Sequence, residues 1–287
     1  MKLCRYDDDR LGVVVGDMVP EVTAAQDEIR AAAPNAMRGD AVIAALPEWR
    51  DRLEDMASKA AGKPVFEVSL LCPVARPSKV MAAPVNYHAH HAEMQADSAI
   101  PKNRPKNSGI GDQGIFLKAN SALVGASEGV SLRFPDRRSD QEVEFVIIIG
   151  KQGTDISQDD ALDYIAGYTL GLDMSLRGPE DRSFRKSIDG RAPLGPYFVT
   201  ADEIPDPDDV RFKGLVNDEL RQDAHTKDLI YGIRRLIEFA TSFYTIYPGD
   251  VYFTGSPAGV GQVYPGDVIR AECDLIGTMD VPVHAHQ

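Results

Sequence analysis

The residues of this chain best suited to chemistry are two glutamates, Glu142 and Glu144, within the segment 140–150. The run around them is apolar and predicts a buried β-strand, in which alternation places both carboxylates on one face. Two like charges beside apolar surface repel each other and lose hydration, so a cation between them is favoured. The alternative is an edge strand whose glutamate pair faces water. An isolated Glu-x-Glu favours that alternative, so the choice depends on further ligands.

Asp173 is the candidate third carboxylate, because it follows a short apolar segment with the character of a strand. Taken alone, Asp173 fits a capping or turn role better than a ligand role. Together with Glu142 and Glu144 it would form an oxygen-only site with open positions. Such a site suits Mg²⁺, Mn²⁺ or Ca²⁺ and disfavours zinc.

Three of the six histidines of the chain fall within residues 88–91, in a segment predicted to be helical. His90 and Glu93 lie at i, i+3 and can touch. A carboxylate beside an imidazole orients it and raises its basicity, as a general base requires. His88 and His91 have the same spacing on another face, so spacing alone leaves the choice open. The alternative is a solvated helix face with incidental histidines.

Two further segments could bind negative charge. Lys186 precedes a Gly/Pro-rich turn and could be a fixed positive charge for a developing anion, although a solvated surface lysine fits the pattern as well. Residues 248–261 read as a strand that enters a Gly-rich loop, whose backbone N–H groups can bind a carboxylate or phosphate. This loop lacks the Walker lysine and the Rossmann spacing, which disfavours nucleotide binding.

The elements that must position these residues divide into two predicted domains, 1–75 and 76–287. The first is predicted to be a small α+β module, with a hairpin over 1–20 (strands 3–6 and 11–15), helices over 21–33 and 38–61 and a strand over 64–71. The second alternates short apolar runs with Gly/Pro turns, which predicts a β-rich core. Its predicted strands are 80–84, 115–118, 143–149, 197–200, 212–216, 251–254 and 268–273. Its predicted helices are 87–97, 158–166 and 226–241, and a mobile loop is expected over 103–114.

Composition excludes some classes of protein. The formal net charge of −13 argues against a nucleic-acid partner, because phosphate binding needs a basic surface. The three cysteines are widely spaced and match neither a zinc pattern nor a disulfide framework, so reduced thiols in a cytoplasmic protein are expected. The sequence shows no signal-peptide pattern and no run of membrane-spanning length, so no membrane association is expected.

The order of these motifs along residues 76–283 resembles the fumarylacetoacetate hydrolase family, and residues 1–75 resemble the small domain that precedes this core in many bacterial members. The motifs are Asn-Tyr-x-x-His-x-x-Glu at 86–93, Phe-x-Lys at 116–118, Glu-x-Glu at 142–144, Ala-Gly-Tyr…Asp-x-Ser-x-Arg at 166–177, Lys-x-x-Asp-Gly…Pro-Leu-Gly-Pro at 186–196, Arg-Gln…Thr-x-Asp at 221–228 and Pro-Gly-Asp…Thr-Gly-x-Pro-x-Gly-Val-Gly at 248–261.

The resemblance implies an α+β, β-rich fold with a mixed β-roll core, a homodimer, and Mg²⁺ or Mn²⁺ in the site, with Ca²⁺ as a further candidate. It also implies roles for nine residues: metal ligation by Glu142, Glu144 and Asp173, a catalytic dyad of His90 and Glu93, an active-site lysine at Lys186, and substrate contacts from Arg177, Thr254 and Gly255.

The chain departs from the family pattern at two places. Leu172 stands where an Asn usually precedes the metal-binding Asp, and the usual Arg-Asp-x-Gln reads Arg177-Gly-Pro-Glu180. Because the missing Gln is a common substrate contact, these departures bear on the substrate more than on the metal chemistry.

The predicted function is divalent-metal-dependent hydrolysis of a C–C bond in a 2,4-dioxo acid of the acylpyruvate type, through an enolate. His90, oriented by Glu93, would deprotonate the attacking water, and Lys186 would stabilise the oxyanion. Closure of a lid over residues 86–114 would exclude bulk water. The alternatives are a 2-oxo acid isomerase, tautomerase or decarboxylase that uses the same enolate, and a non-catalytic protein that binds 2-oxo acids.

Overall fold

The structure is a computed structural model that describes residues 1–33, 38–96 and 109–286. Its helices are α1 (Thr23–Ala32), α2 (Ala41–Lys59), α3 (His88–Ala96), α4 (Ile110–Gln113), α5 (Arg182–Lys186) and α6 (Ile233–Thr241). Its strands are β1 (Lys2–Tyr6), β2 (Arg10–Val13), β3 (Met18–Pro20), β4 (Gly62–Pro64), β5 (Leu70–Leu71), β6 (Val80–Ala82), β7 (Phe116–Lys118), β8 (Leu123–Gly125), β9 (Val130–Leu132), β10 (Ser139–Gln141), β11 (Val143–Ile149), β12 (Ile165–Leu172), β13 (Ser175–Leu176), β14 (Ala192–Thr200), β15 (Arg211–Val216), β16 (Glu219–His225), β17 (Val251–Phe253), β18 (Gly261–Gln262), β19 (Val268–Cys273) and β20 (Gly277–Ala285). The predicted β-rich α+β class is confirmed.

The largest sheet has ten strands and runs in the order β2-β1-β14-β12-β11-β17-β6-β7, with β5 attached to β1 and β8 attached to β14. It is mixed, because β17 pairs with β6 and β14 pairs with β8 in parallel, whereas β11 pairs with β12 and β17 antiparallel. In this order, strand β11 lies inside the sheet, between β12 and β17.

The two faces of β11 enter two different hydrophobic cores. Val143, Phe145, Ile147 and Ile149 pack on the side of the five-stranded sheet β16-β15-β19-β20-β9 and helix α6. Val146 and Ile148 pack on the side of helices α1 and α2. Because both faces are covered, the strand reads as a continuous apolar run rather than as an alternating pattern.

The chain passes from one sheet to another at Glu142. Strand β10 belongs to a small sheet of order β13-β10-β18, and β11 begins at Val143 in the large sheet. Strand β12 ends at Leu172 opposite Val143, and the next residue, Asp173, donates its N–H to the carbonyl of Glu142 at 2.8 Å. This backbone bond brings the two acidic positions together.

The first 75 residues share their packing with the remainder of the chain. Strand β1 pairs antiparallel with β14, and side chains of α2 pack in the same core as β11, β14 and β17. The division into domains 1–75 and 76–287 remains a prediction, and a boundary there would cut through a continuous sheet.

Two predicted elements are wrong, and a third is a helix whose first half is not helical. Residues 158–166 do not form an α-helix: the Asp160 N–H donates to Ser157 Oγ at 3.3 Å, as it would at a helix N-terminus, but Ile165 pairs with Ile149 and starts β12. The predicted helix 226–241 begins only at Ile233, after Gly232. The predicted strand 64–71 is a 3₁₀ turn, Val65–Glu67, between the short strands β4 and β5.

Two expectations concern regions that the structure describes in part. The first half of the predicted mobile loop 103–114 lies outside the described residues, which resume at 109, and residues 110–113 form α4. Among the described helices, none is both long and apolar enough to cross a membrane.

Candidate active site

Three carboxylates meet where β11 and β12 enter and leave the large sheet. Glu142, Glu144 and Asp173 each offer an oxygen within 4.8 Å of the others, and their relative exposures are 4%, 1% and 1%. The alternative of an edge strand with a glutamate pair in water is wrong, because β11 is central and both side chains are buried. The predicted ligand roles remain predictions, but the three side chains do converge.

Lys186 lies against this triad and is not a surface lysine. Its ammonium is buried, donates to Glu142 Oε2 at 2.7 Å and also contacts Asp173 Oδ2. Burial alone would lower the pKa of Lys186, but Asp173 and Glu142 outweigh it and raise that pKa. The lysine therefore carries a fixed positive charge at neutral pH.

Lys118 is a second buried cation, to which sequence reasoning gave no role. Its Nζ lies 2.5 Å from Asp173 Oδ1, and burial lowers the pKa of Lys118 despite the attraction of Asp173. The available signal was the Phe-x-Lys motif at 116–118, since alternation on a strand places Lys118 on the same buried side as Phe116. A lysine on a buried face requires an acidic partner.

The two glutamates have opposite electrostatic environments. Burial raises the pKa of Glu142, but Lys186 and Arg177 outweigh it and lower that pKa to about 2. Ser175 Oγ also donates to Glu142 Oε1 at 2.6 Å. For Glu144, burial and the nearby Asp173 carboxylate raise the pKa well above its usual value, and Lys186 and the Gly255 N–H offset this only in part. One site thus contains one firmly ionised carboxylate and one that favours its proton.

The structure separates the two candidate histidine pairs on α3. His90 is buried and lines the same cleft as the triad, whereas His88 is exposed. His90 Nδ1 lies 3.2 Å from Glu93 Oε2, and the backbone N–H of Gly259 donates to Glu93 Oε1 at 3.0 Å. Burial would raise the pKa of Glu93, but the bonds from His90 and Gly259 outweigh it and lower that pKa. Glu93 is thus an ionised carboxylate that fixes the orientation of His90.

The base of α3 is anchored by Asn86. Its Nδ2 donates to the Thr254 carbonyl at 2.8 Å, and its Oδ1 accepts the Tyr231 N–H at 2.8 Å. The Ile230 N–H bonds the Asn86 carbonyl as well, which explains why the helix predicted over 226–241 is interrupted before Gly232. Asn86 therefore ties the dyad helix to the loop that follows β17.

The loop that follows β17 contacts the triad through its backbone. Gly255 has a φ of +113°, and a Cβ there would lie 2.6 Å from Cβ of Asn86, so only glycine fits. Its N–H donates to Glu144 Oε2 at 2.7 Å, and the Thr254 hydroxyl donates to the Phe145 carbonyl at 2.7 Å. In the described part of the loop, Ser256 is the residue that reaches the cleft. The substrate-binding roles predicted for Thr254 and Gly255 remain predictions.

Arg177 lines the cleft and is held by carboxylates. Its Nε donates to the buried Asp140 at 2.7 Å, and its NH2 lies 3.4 Å from Glu142 Oε1. Arg138 bonds the other oxygen of Asp140 at 2.7 Å. The unusual Glu180 is bound by both terminal nitrogens of Arg137, at 2.9 and 2.7 Å, so the Gly178–Glu180 turn is charge-paired.

These groups surround one cleft with about 150 Å³ of interior space. It is lined by the carboxylate triad, by His90 and by residues of the segment from Arg177 to Lys186, and Lys186 Nζ lies 5.5 Å from the centre of the Phe116 ring in the same lining. An oxygen-only set of three buried carboxylates fits a hard divalent cation such as Mn²⁺ or Mg²⁺, and the accompanying lysines limit the excess negative charge. A cation bound there would lie in the same cleft as the His90 imidazole.

Comparison with known proteins gives consistent matches along the chain. Residues 79–284 match the family described as fumarylacetoacetate (FAA) hydrolase, C-terminal. The chain is 46% identical over 292 residues to a maleylpyruvate hydrolase from Aquipseudomonas alcaligenes, covering 99% of this chain and 100% of that protein. It is 34% identical over 229 residues to a mitochondrial oxaloacetate tautomerase from Xenopus laevis, covering 75% of this chain and 68% of that protein.

Among solved structures, the protein is similar to a crystal structure of maleylpyruvate hydrolase from Sphingobium sp. SYK-6 in complex with manganese(II) ion and pyruvate. The TM-score is 0.82 and the identity is 37%, with all of both chains covered. A second structure of maleylpyruvate hydrolase from the same organism gives a TM-score of 0.85 at 38% identity, again over both complete chains.

Proposed function

Because the chain belongs to the fumarylacetoacetate hydrolase family, we propose that it is a metal-dependent enzyme that hydrolyses the C–C bond of an acylpyruvate of the maleylpyruvate type. The observation that carries this proposal is the meeting of a His–Glu dyad and a buried carboxylate triad in one cleft. The hydrolase relatives cover the whole chain, which supports the same reaction class.

Glu142, Glu144 and Asp173 would hold the metal ion. Mn²⁺ is favoured by the manganese-containing relative, and Mg²⁺ fits the same oxygen donors. When bound, the ion supplies a Lewis acid for the negative charge that develops on the 2-oxo acid end of the substrate. The remaining steps belong to side chains of the protein.

His90 is the general base of the proposed reaction. Its Nδ1 is engaged by Glu93, so Nε2 is the nitrogen that takes a proton from the attacking water. The water oxygen adds to the C4 carbonyl, the C3–C4 bond breaks, and the electron pair of that bond forms the enolate of pyruvate. The proton held by His90 matches the one that this enolate needs to become pyruvate.

Lys186 has the charge required to stabilise the oxyanion formed at C4. Its pKa is raised, so its ammonium is retained at neutral pH, and it lines the cleft in contact with the triad. Arg177 is held by Asp140 beside Glu142, and we propose that it contacts the substrate at the same end of the cleft.

The test separates metal binding from proton transfer. We expect His90→Ala and Glu93→Gln to lower kcat for maleylpyruvate by about 10² to 10⁴-fold while the Mn²⁺ affinity, measured by calorimetry, is retained. Asp173→Ala should lose Mn²⁺ binding and activity together. His88→Ala is the matched control, because His88 is exposed on the same helix. Full cleavage activity in metal-stripped His90→Ala protein would overturn the mechanism.

A second candidate reaction is tautomerisation of a 2-oxo acid, and the similarity to the Xenopus laevis oxaloacetate tautomerase favours it. It would use the same triad to stabilise an enolate without breaking a C–C bond. The products distinguish the two reactions, since only hydrolysis of maleylpyruvate releases pyruvate and a dicarboxylic acid.

We also propose that the protein is cytoplasmic and forms a homodimer. Three free, buried cysteines, Cys4, Cys72 and Cys273, fit a reducing compartment. Size-exclusion chromatography with light scattering would give the assembly directly, and a mass near the 31.3 kDa of one chain would contradict the dimer.

A further inference from the structure

The turn between β13 and α5 contains the departure Gly178-Pro179-Glu180, to which the proposed mechanism gives no role. All three residues line the cleft, next to Arg177. Glu180 places a carboxylate where the family pattern has a glutamine, and a bond from Arg137 lowers the pKa of that carboxyl, so it is ionised at neutral pH. Because a 2-oxo acid is itself an anion, an ionised Glu180 is better suited to bind a cation of the protein than to bind the substrate.

The cation that Glu180 binds is Arg137, from the segment between β9 and β10. The two terminal nitrogens of Arg137 donate to the two oxygens of Glu180, at 2.9 and 2.7 Å. Nε and Nη2 of the same guanidinium donate to the carbonyl oxygen of Arg177, at 3.2 and 3.0 Å. A planar guanidinium that is held on two sides has a fixed direction. Glu180 therefore fixes the group that bonds the backbone of Arg177.

The backbone of Arg177 is bonded to this neighbouring segment through both of its polar groups. Its N–H donates to the carbonyl oxygen of Arg138 at 2.9 Å, and its C=O accepts from Arg137. These bonds fix the point from which the Arg177 side chain extends towards Asp140 and Glu142, to which Nε and Nη2 lie at 2.7 and 3.4 Å. The direction of the Arg177 guanidinium thus depends on how the turn is held.

We propose that Glu180 is a positioning residue for Arg177. Glu180 holds the guanidinium of Arg137, Arg137 holds the carbonyl of Arg177, and the side chain of Arg177 is thereby directed into the cleft. The inference rests on the proposed function, in which Arg177 contacts the substrate, and deepens it by giving the Gly178–Glu180 departure a role in substrate binding. Loss of the Glu180 carboxylate should weaken substrate binding and leave proton transfer at His90 unchanged.

Gly178 offers a variant that separates the Arg137–Glu180 pair without removing a charge. A Cβ at Gly178 would overlap Nη2 of Arg137 and lie 2.5 Å from Oε2 of Glu180. Both atoms are at the ends of flexible side chains, and the φ of Gly178 is not positive, so alanine should displace the ion pair rather than the backbone. Gly178→Ala therefore disrupts the same contact as Glu180→Gln while Glu180 keeps its charge.

The experiment measures kcat and KM for maleylpyruvate in the wild type, Glu180→Gln, Arg137→Gln and Gly178→Ala. Each variant should raise KM by about tenfold, because a bond from Arg177 to an anionic substrate is weakened. kcat should change by less than about twofold, because that bond is weakened equally in the ground and transition states. In an Arg177→Lys background, which lacks the guanidinium to be positioned, Glu180→Gln should change KM by less than about twofold.

Glu28→Gln is the matched control. Glu28 is bound by both terminal nitrogens of Arg52, at 3.0 and 2.5 Å, in the same end-on geometry as the Arg137–Glu180 pair, but on the exposed face of α1. Neither residue lines the cleft. Glu28→Gln should leave KM and kcat unchanged.

Hydrogen exchange read by mass spectrometry tests the positioning without a substrate. The Arg177 amide should exchange faster in Glu180→Gln and in Gly178→Ala than in the wild type. Unchanged exchange, a KM effect confined to Glu180→Gln, a lower KM in that variant, or additive losses with Arg177→Lys would each overturn the proposal. Failure of the wild type to cleave maleylpyruvate would instead reject the proposed hydrolase function, and the exchange rates would still show whether Glu180 positions Arg177.

Discussion

Glu142 and Glu144 stand two residues apart, one immediately before β11 and one within it, yet replacing each by glutamine should have opposite effects on the stability of the metal-free protein. Glu142 is held ionised by Lys186 and Arg177, so Glu142→Gln removes a charge that two cations require. Glu144 favours its protonated form, because burial and the Asp173 carboxylate disfavour its charge. Glutamine imitates that protonated form and can still accept the Gly255 N–H.

The magnitude follows from the pKa of Glu142. A fall from its usual 4.5 to about 2 corresponds to about 3 kcal/mol of stability at neutral pH. Because the folded-state pKa is depressed, this contribution is fully present above pH 4.5 and is lost as the pH falls towards 2. Glu142→Gln should therefore lower the unfolding free energy by about 3 kcal/mol near pH 7, and the difference should vanish in strong acid.

The sign is reversed for Glu144. Its folded-state pKa is raised, so the wild type loses stability as the pH rises from the usual glutamate value through that raised pKa. Glu144→Gln should change the unfolding free energy by less than about 1 kcal/mol near pH 6 and should become the more stable protein at higher pH. Both variants should lose the stabilisation that Mn²⁺ gives to the wild type.

Urea unfolding followed by circular dichroism, on chelator-treated protein between pH 5 and 9, measures both effects. Repeating it with excess Mn²⁺ tests the shared loss of metal binding. If Glu144→Gln destabilises the metal-free protein as much as Glu142→Gln does, the two carboxylates do not have opposite electrostatic environments, and Glu144 is ionised in the metal-free site.

Two further predictions concern the same cluster. Mn²⁺ binding should release a proton, because the raised pKa of Glu144 keeps a proton in the metal-free site. The apparent Mn²⁺ affinity should therefore rise with pH, by at most about tenfold per pH unit. Calorimetry in buffers of different ionisation enthalpy would detect the released proton, and an affinity that does not change with pH would contradict the prediction. Lys118→Met should lower the unfolding free energy of the metal-free protein by about 3 to 5 kcal/mol, because Asp173 loses one of its two buried cations. An unchanged midpoint of urea unfolding would show that the Lys118–Asp173 ion pair does not stabilise the protein.

Much of the site could be predicted from sequence because its signals are local. The Glu-x-Glu spacing fixes a shared face on any strand, and the His90–Glu93 spacing fixes contact on any helix. The boundaries of β11 and β19 were predicted correctly, since long apolar runs between turn residues have few alternatives. The order of the motifs predicted the family, which the comparisons confirm.

The errors arose where tertiary contacts overrode local preference. Residues 158–166 have a cap and helical spacing, but pairing with β11 takes Ile165 into the sheet. The helix predicted over 226–241 is interrupted because the Ile230 and Tyr231 N–H groups bond Asn86, which lies far away in sequence. Neither competing partner is visible within the segment itself.

The sequence alone thus determined which carboxylates share a face, which histidine can contact a glutamate, and in which family those groups occur, because spacing along a regular element needs no partner to define it. The tertiary structure decided the charges. Glu142 is ionised, whereas Glu144 favours its proton, and both Lys118 and Lys186 bind Asp173. These properties follow from burial and from contacts between segments more than ten residues apart. Desolvation and Coulomb energy depend on distance in space, which spacing along the chain does not encode.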